Sequence, residues 1–314
     1  MTHAIIARQY GEPSVLEFAE IDSPEPGPHE VKIAVRAVGV NPTDYKQLRG
    51  PARGNPTFPL RIGNEASGVV IAVGADAVGP AGPINVGDEV IAFRAPGSYA
   101  EEVVVPESAV LPKPAQLSWE KAAGLLLVAA TAFHLVEATG VKAGDRVLVH
   151  GASGSVGLMA TQLAVLRGAT VVGTASATNQ DLVREHGAEP VVYGEGLADR
   201  VRALFPDGVD VALDTVGTDE ALDTSVELVA DRHRIATIAG WARGPELGIL
   251  LLGGGPGADP GTELRMGARA QLIQLAADGK LDVLIAKTFP LSEAAAALEL
   301  VATGHPGGKV VLLP

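Results

Sequence analysis

The chain has 314 residues, 47% of them hydrophobic and 19% charged, a globular composition with length enough for two domains. Asp and Glu number 37 against 24 Lys and Arg, a formal charge of −13, so the broad basic footprint of a nucleic-acid binder is missing and no nucleic-acid partner is expected. Without a single cysteine, disulfides, thiolate metal ligands and cysteine nucleophiles are excluded. The opening MTHAIIARQYGEP lacks the apolar stretch of a secretory signal, and the longest apolar run, 122–133, is short of the ~20 residues that span a bilayer. A cytoplasmic protein with no membrane contact is therefore expected.

In chain order, the first 120 residues are punctuated by Pro and Gly and carry short β-like runs. These are 31–40 (VKIAVRAVGV), 66–73 (ASGVVIAV), 89–93 (EVIAF) and 99–106 (YAEEVVVP). Short strands between turn signals predict an all-β or barrel-like unit. Strand and helix then alternate: a strand at 146–150, a helix at 156–167, a strand at 170–174, a helix at 179–186, and strands at 190–193, 209–214, 234–240 and 248–252. Near-continuous apolar strands separated by helices predict a parallel sheet covered on both faces. A helix at 262–278 closes this block. The tail 282–314 holds KTFPL, a helix SEAAAALELVATG and a strand GKVVLL, and returns to the character of the first domain. The expected organisation is α/β, with a discontinuous domain of 1–121 and 283–314 around a doubly wound domain of 122–282.

The strongest chemical signal is RVLVHGASGSVGLMATQLA. A strand runs into Ala152-Ser153-Gly154-Ser155-Val156-Gly157 and a helix follows, with Ala152 in the first glycine place of a dinucleotide fingerprint. Gly154 lets the backbone approach a pyrophosphate, Gly157 lets helix and strand pack closely, and the helix start offers N–H groups and partial positive charge. The end of the next strand, Thr174-Ala175-Ser176-Ala177-Thr178-Asn179, lacks the acid that binds a ribose 2′-hydroxyl. Its small hydroxyl and amide groups leave room for a 2′-phosphate, which points to NADPH through Ser176 and Asn179. Thr178 and Asp181 also fit a capping box, so Asn179 reads equally as a helix cap.

Together, YGEPSVLEFAEIDSPEPGPHEV, VGVNPTDYK, IGNEASGVV, NVGDEVIAF, ATAFHL, VLVHGASGSVG and GGKVVL resemble the zinc-free quinone oxidoreductase branch of the medium-chain dehydrogenase/reductase superfamily, over nearly the whole chain. The resemblance implies a GroES-like β-rich catalytic domain, a Rossmann domain, and a cofactor cleft between them. Zinc-dependent relatives need three ligands of thiolate, imidazole or carboxylate type. At the matching positions this chain has Asn41, Asn64 and Leu127, so no metal is expected.

The resemblance also implies roles for single residues. Asn41 would face the nicotinamide and the substrate, unless it makes only an Asx-turn before Pro42. Tyr45 would offer its phenol to the acceptor, or pack as a core aromatic. Thr131 would contact the nicotinamide amide. Tyr193 would lie on the adenine side. Val216, Ala239 and Gly240 sit at strand ends, where open α/β sheets bind ligands. Leu251 and Leu252 would border the nicotinamide, on a strand that in this family pairs across a homodimer. The Gly- and Pro-rich GGGPGADPGTEL reads as a mobile loop shaping the acceptor pocket. Lys309 reaches a cofactor phosphate or merely ends the tail strand.

Without a Lewis acid, hydride delivery suits acceptors that are already electron-poor. The expected function is NADPH-dependent reduction of quinones. The alternatives are an enone or 2-alkenal reductase, and a non-catalytic NADPH-binding structural or sensor protein.

Overall fold

The computed structural model describes residues 1–50, 57–304 and 306–314. In chain order the first elements are β1 (Thr2–Ala7), β2 (Leu16–Ile21), β3 (Glu30–Val40), α1 (Pro42–Leu48), β4 (Leu60–Arg61), β5 (Glu65–Val73), β6 (Val78–Gly79), β7 (Gly82–Pro83), β8 (Glu89–Phe93), β9 (Glu102–Pro106), β10 (Val110–Pro112) and α2 (Trp119–Ala123). There follow α3 (Leu126–Ala138), β11 (Arg146–His150), α4 (Ser155–Leu166), β12 (Thr170–Ala175), α5 (Gln180–Glu185), β13 (Ala188–Val192), α6 (Leu197–Leu204), β14 (Val211–Asp214), α7 (Asp219–Leu228), β15 (Ile235–Thr237), α8 (Gly244–Leu247), β16 (Leu250–Leu251), α9 (Thr262–Gly267) and α10 (Arg269–Ala277). The tail adds β17 (Ile285–Pro290), α11 (Ala294–Ala302) and β18 (Lys309–Leu313).

Contacts divide the chain into one unit of Met1–Leu127 with Val283–Pro314 and another of Val128–Asp282. In the first, the main sheet runs β10-β8-β5-β3-β18-β17, with β9 also on β3. β18 enters antiparallel to β3, with Val310 opposite Val40 and Leu312 opposite Val38, and lies parallel to β17. Val310 and Leu312 join one core with Ile33, Val70, Val90, Tyr99, Leu48 of α1 and Leu298 of α11, while Val311 packs on the other face with Ala37 and Ala123. The tail is thus an interior strand of the sheet, so its apolar sequence is a packing requirement.

The second unit holds a parallel sheet in the order β13-β12-β11-β14-β15-β16. This is the doubly wound Rossmann arrangement. The strand order reverses between β11 and β14, the position where such sheets bind dinucleotides. Val147, Leu148, Val149, Val211, Ala212 and Leu213 are all buried, as strands covered on both faces require. β14, β15 and β16 are shorter than their apolar runs. β16 keeps only two residues of GILLL, and the helix expected at 262–278 breaks beside Gly267, a weak helix former. Among the described residues no helix is long and apolar enough to cross a membrane.

Candidate functional site

Each unit carries its own constellation. In the second unit, β11 runs into Gly151, whose φ of +72° turns the chain. The Gly151 N–H donates to Thr174 Oγ1 at 3.0 Å and the Ala152 N–H to Thr174 O at 2.9 Å. Ala152 is fully buried, and a Cβ added at Gly173 would meet its methyl at 2.6 Å. An alanine therefore fits the first glycine place because the neighbouring strand supplies a glycine opposite it. Gly154 caps α4, and a Cβ added at Gly157 would lie 2.1 Å from Gly151 O, so that position requires glycine. Ser153, Gly154, Ser155 and Val156 remain half-buried at the start of α4. Helix-start N–H groups have no acceptors within their own helix and suit an anion.

At the end of β12 the capping box does not form. Ala177–Asn179 makes a 3₁₀ turn instead, and Thr178 Oγ1 lies 2.9 Å from Ser176 Oγ. Asn179 Nδ2 donates to Ser153 Oγ at 3.4 Å, which joins this turn to the glycine turn. Arg184 pairs with Asp181 at 2.7 Å. Tyr193, just past β13, is 48% exposed.

The turns carrying Val216 and Ala239–Gly240 share an anchor that sequence reasoning missed. Asp214, at the end of β14, is fully buried. It accepts from the N–H groups of Val216 and Gly217 at 3.0 Å and from Thr237 Oγ1 at 2.5 Å. Thr237 Oγ1 in turn accepts from the N–H groups of Ala239 at 3.1 Å and Gly240 at 2.8 Å. One carboxylate and one hydroxyl thus fix both strand-end turns. The only sequence signal was a lone acid closing the apolar run VAL.

The Gly- and Pro-rich segment after β16 is hydrogen-bonded to its surroundings. Asp259 N–H donates to Leu251 O and Gly253 N–H to Asp259 O, both at 2.8 Å. Trp241 Nε1 donates to Leu252 O at 3.0 Å, and a Cβ added at Gly255 would strike the Trp241 ring at 2.1 Å. Buried His134 sits between Asp259 Oδ2, 3.3 Å from Nε2, and Arg265, whose Nε donates to Nδ1 at 3.3 Å. Burial, then the Arg265 charge, hold His134 below the usual imidazole range. Arg265 Nη1 also donates to Thr131 Oγ1 at 3.3 Å. Composition spoke only of backbone freedom, whereas these side chains supply the restraint.

In the first unit, Asn41 lies between β3 and α1 and is the N-cap of the helix. Its N–H donates to Asp44 Oδ2 at 2.9 Å, and its Nδ2 donates to Gly39 O at 3.2 Å and Glu65 Oε1 at 2.9 Å. Lys309 Nζ donates to Asn41 Oδ1 at 2.5 Å and Glu65 Oε1 at 2.7 Å. Both amide hydrogens of Asn41 are committed within the unit, to Gly39 O and Glu65 Oε1. Lys309 likewise turns its ammonium inward to Glu65 and Asn41 rather than outward to a phosphate. Tyr45 is half-buried, with the Arg49 guanidinium 4.3 Å from its ring centre.

Asn64 Nδ2 donates to Asp44 Oδ1 at 2.7 Å, and Leu127 contributes its backbone N–H to Glu65 Oε2 at 2.9 Å. The three positions that carry zinc ligands in metal-dependent relatives therefore present two amides and an alkyl group around carboxylates that already hold an ammonium. This donor set does not fit zinc.

Burial pushes the Asp44 carboxyl up to about 6 from 3.8, against the opposing pull of Asn64, Lys309, the Asn41 N–H and Tyr99. The folded chain therefore holds this proton more tightly than the unfolded chain. Its contribution to stability is complete below the unfolded value and is lost as pH rises through about 6. The unfolding free energy of the wild type relative to Asp44→Asn should fall by about 2 kcal/mol between about pH 4 and about pH 7. Denaturant titrations across that window check this, and a constant difference would refute it.

Comparisons with known proteins agree with this geometry. A family model for the alcohol dehydrogenase GroES-like domain matches residues 27–115, and one for zinc-binding dehydrogenase matches residues 186–312. The chain is 35% identical to a quinone oxidoreductase of Pseudomonas aeruginosa, covering 97% of each chain. It is 30% identical to quinone oxidoreductase of Mus musculus, over 100% of this chain and 98% of that one. The solved structure of mycobacterial Rv1454c complexed with NADPH aligns at a TM-score of 0.86 with 31% identity, over 99% of this chain and 100% of that one. With its Rossmann sheet and glycine turn, this is an oxidoreductase built for a nicotinamide cofactor. It belongs to the zinc-free quinone oxidoreductase branch of the medium-chain dehydrogenase/reductase superfamily.

Proposed function

We propose that the protein is an NADPH-dependent reductase that passes a hydride to quinones without a metal. The observation that carries this reading is the donor cluster of the first unit. Asn41, Asn64 and Leu127 replace metal ligands, and Lys309 neutralises Glu65. No Lewis acid can be held there, so the acceptor must bring its own activation. A quinone does, because the charge it gains spreads onto its oxygens.

NADPH supplies the hydride, two electrons and one proton, and a second proton from solvent completes the hydroquinone. Ser153 to Val156 at the start of α4 hold the pyrophosphate. Ser176 and Asn179 receive the 2′-phosphate, since no carboxylate closes β12. Tyr193 flanks the adenine side. Val216, Ala239, Gly240, Leu251, Leu252 and Thr131 frame the ribose and nicotinamide, and Tyr45 meets the acceptor.

The test is a panel of benzoquinones, ortho-quinones, 2-alkenals and simple alcohols, following NADPH absorbance with and without a chelator. Expected are quinone reduction that ignores the chelator, and NADPH binding tighter than NADH by tryptophan fluorescence. Turnover of alkenals alone, chelator-sensitive alcohol oxidation, or cofactor binding with no turnover would each overturn the reading.

A further inference from the structure

We propose that Lys309 and Glu65 are a positioning pair for acceptor reduction, locking the amide of Asn41 and, through it, the start of α1. The proposal rests on the functional reading above only in its kinetic part.

The pair is deeply enclosed, with 2% of the Lys309 side chain and 1% of the Glu65 side chain exposed. Lys309 is the first residue of β18, and a Cβ added at Gly124 would meet its Cγ at 2.7 Å, so Gly124 leaves the channel for its stem. A buried ion pair is weak evidence for stability, because the desolvation of both ions offsets their attraction. Orientation is what it fixes here. Asn41 Oδ1 faces an ammonium and Asn41 Nδ2 faces a carboxylate. Exchanging O and N by rotating the amide would set an NH₂ against the cation and a carbonyl against the anion. Two charges of opposite sign therefore define one orientation, which neutral partners would define only weakly.

The same residue caps α1. Its N–H is held by Asp44 Oδ2 at 2.9 Å and its carbonyl accepts the Asp44 N–H at 3.0 Å. Tyr45, the residue assigned to the acceptor, is the next residue of this helix. The charge pair is thus one amide and one helical turn away from the acceptor contact. It acts through Asn41, which both partners of the pair hold.

The experiment uses the double variant Lys309→Met/Glu65→Gln, which removes both charges and leaves neither ion unpaired. Its melting transition reports folding, NADPH titration reports the second unit, and steady-state kinetics with the best wild-type acceptor report the site. Amide hydrogen exchange over Pro42–Leu48 reports the lock itself, whether or not any acceptor turns over. Expected are wild-type NADPH affinity, a loss in kcat on the order of tenfold to a hundredfold from the misplaced contact, and α1 exchange faster by about tenfold. Unchanged exchange over α1 would overturn the proposal, as would wild-type kcat in the double variant. Failure of every acceptor with the wild type would count against the reductase reading alone, because the exchange measurement still decides the lock.

Discussion

Replacing Gly157 with alanine should weaken binding of the nicotinamide cofactor by a hundredfold or more, about 2.7 kcal/mol. The added methyl would lie 2.1 Å from Gly151 O, 2.8 Å from Gly151 C and 2.9 Å from Ala152 Cα. All three are backbone atoms, so no side chain can rotate aside. Gly151 cannot yield either, since its positive φ is set by the turn and Val216 packs over it. The start of α4 must therefore move off the turn, which re-aims the helix-start N–H groups proposed to receive the pyrophosphate. Tryptophan-fluorescence titration measures the loss, and circular dichroism checks that the sheet survives. Affinity within threefold of wild type would show that the turn does not hold the cofactor.

Asp214→Ala should destabilise the second unit by about 3–5 kcal/mol, because buried donors lose their partner rather than being removed with it. The Val216 and Gly217 N–H groups and the Thr237 hydroxyl all end on this carboxylate. Thr237 would then lose the orientation with which it accepts from Ala239 and Gly240, so both turns loosen together. Asp214→Asn keeps the shape but turns an NH₂ toward N–H donors, and should fall between the two. Urea unfolding monitored through Trp241 checks the order wild type, Asn, Ala. A cost below about 1 kcal/mol for the alanine variant would refute the shared-anchor account.

How far the sequence was legible followed the range of the interactions. The strand–turn–helix around Gly154 and Gly157 is local, and so was visible in the order of its residues. The alternation of apolar runs and helices likewise marked the parallel sheet, and the return of β-like sequence after residue 282 marked the tail. What stayed hidden depends on distant partners. Lys309 meets Glu65 across 244 residues, so no spacing rule could join them. Asp214 reads as a strand-end acid until the Thr237 and Gly217 groups that converge on it are known. The capping box at Thr178 looked sound, but the chain takes a 3₁₀ turn there. The contacts of the loop after β16 were hidden because Trp241 and His134, which meet it, lie outside the segment.

The place of β18 inside the first sheet sets an order for how the chain matures at the ribosome. β3 is made early, yet its neighbour in the sheet emerges only after the whole of Val128–Asp282. At synthesis rates of about 5–20 residues per second, β3 waits on the order of ten seconds or more with that edge open. Throughout that interval Glu65 lacks its counter-ion, while the intervening Rossmann unit has all its strands and is free to fold. The nascent protein thus completes its Rossmann sheet before the sheet that holds Glu65 and Lys309, so the second unit has all its strands while the first still lacks one.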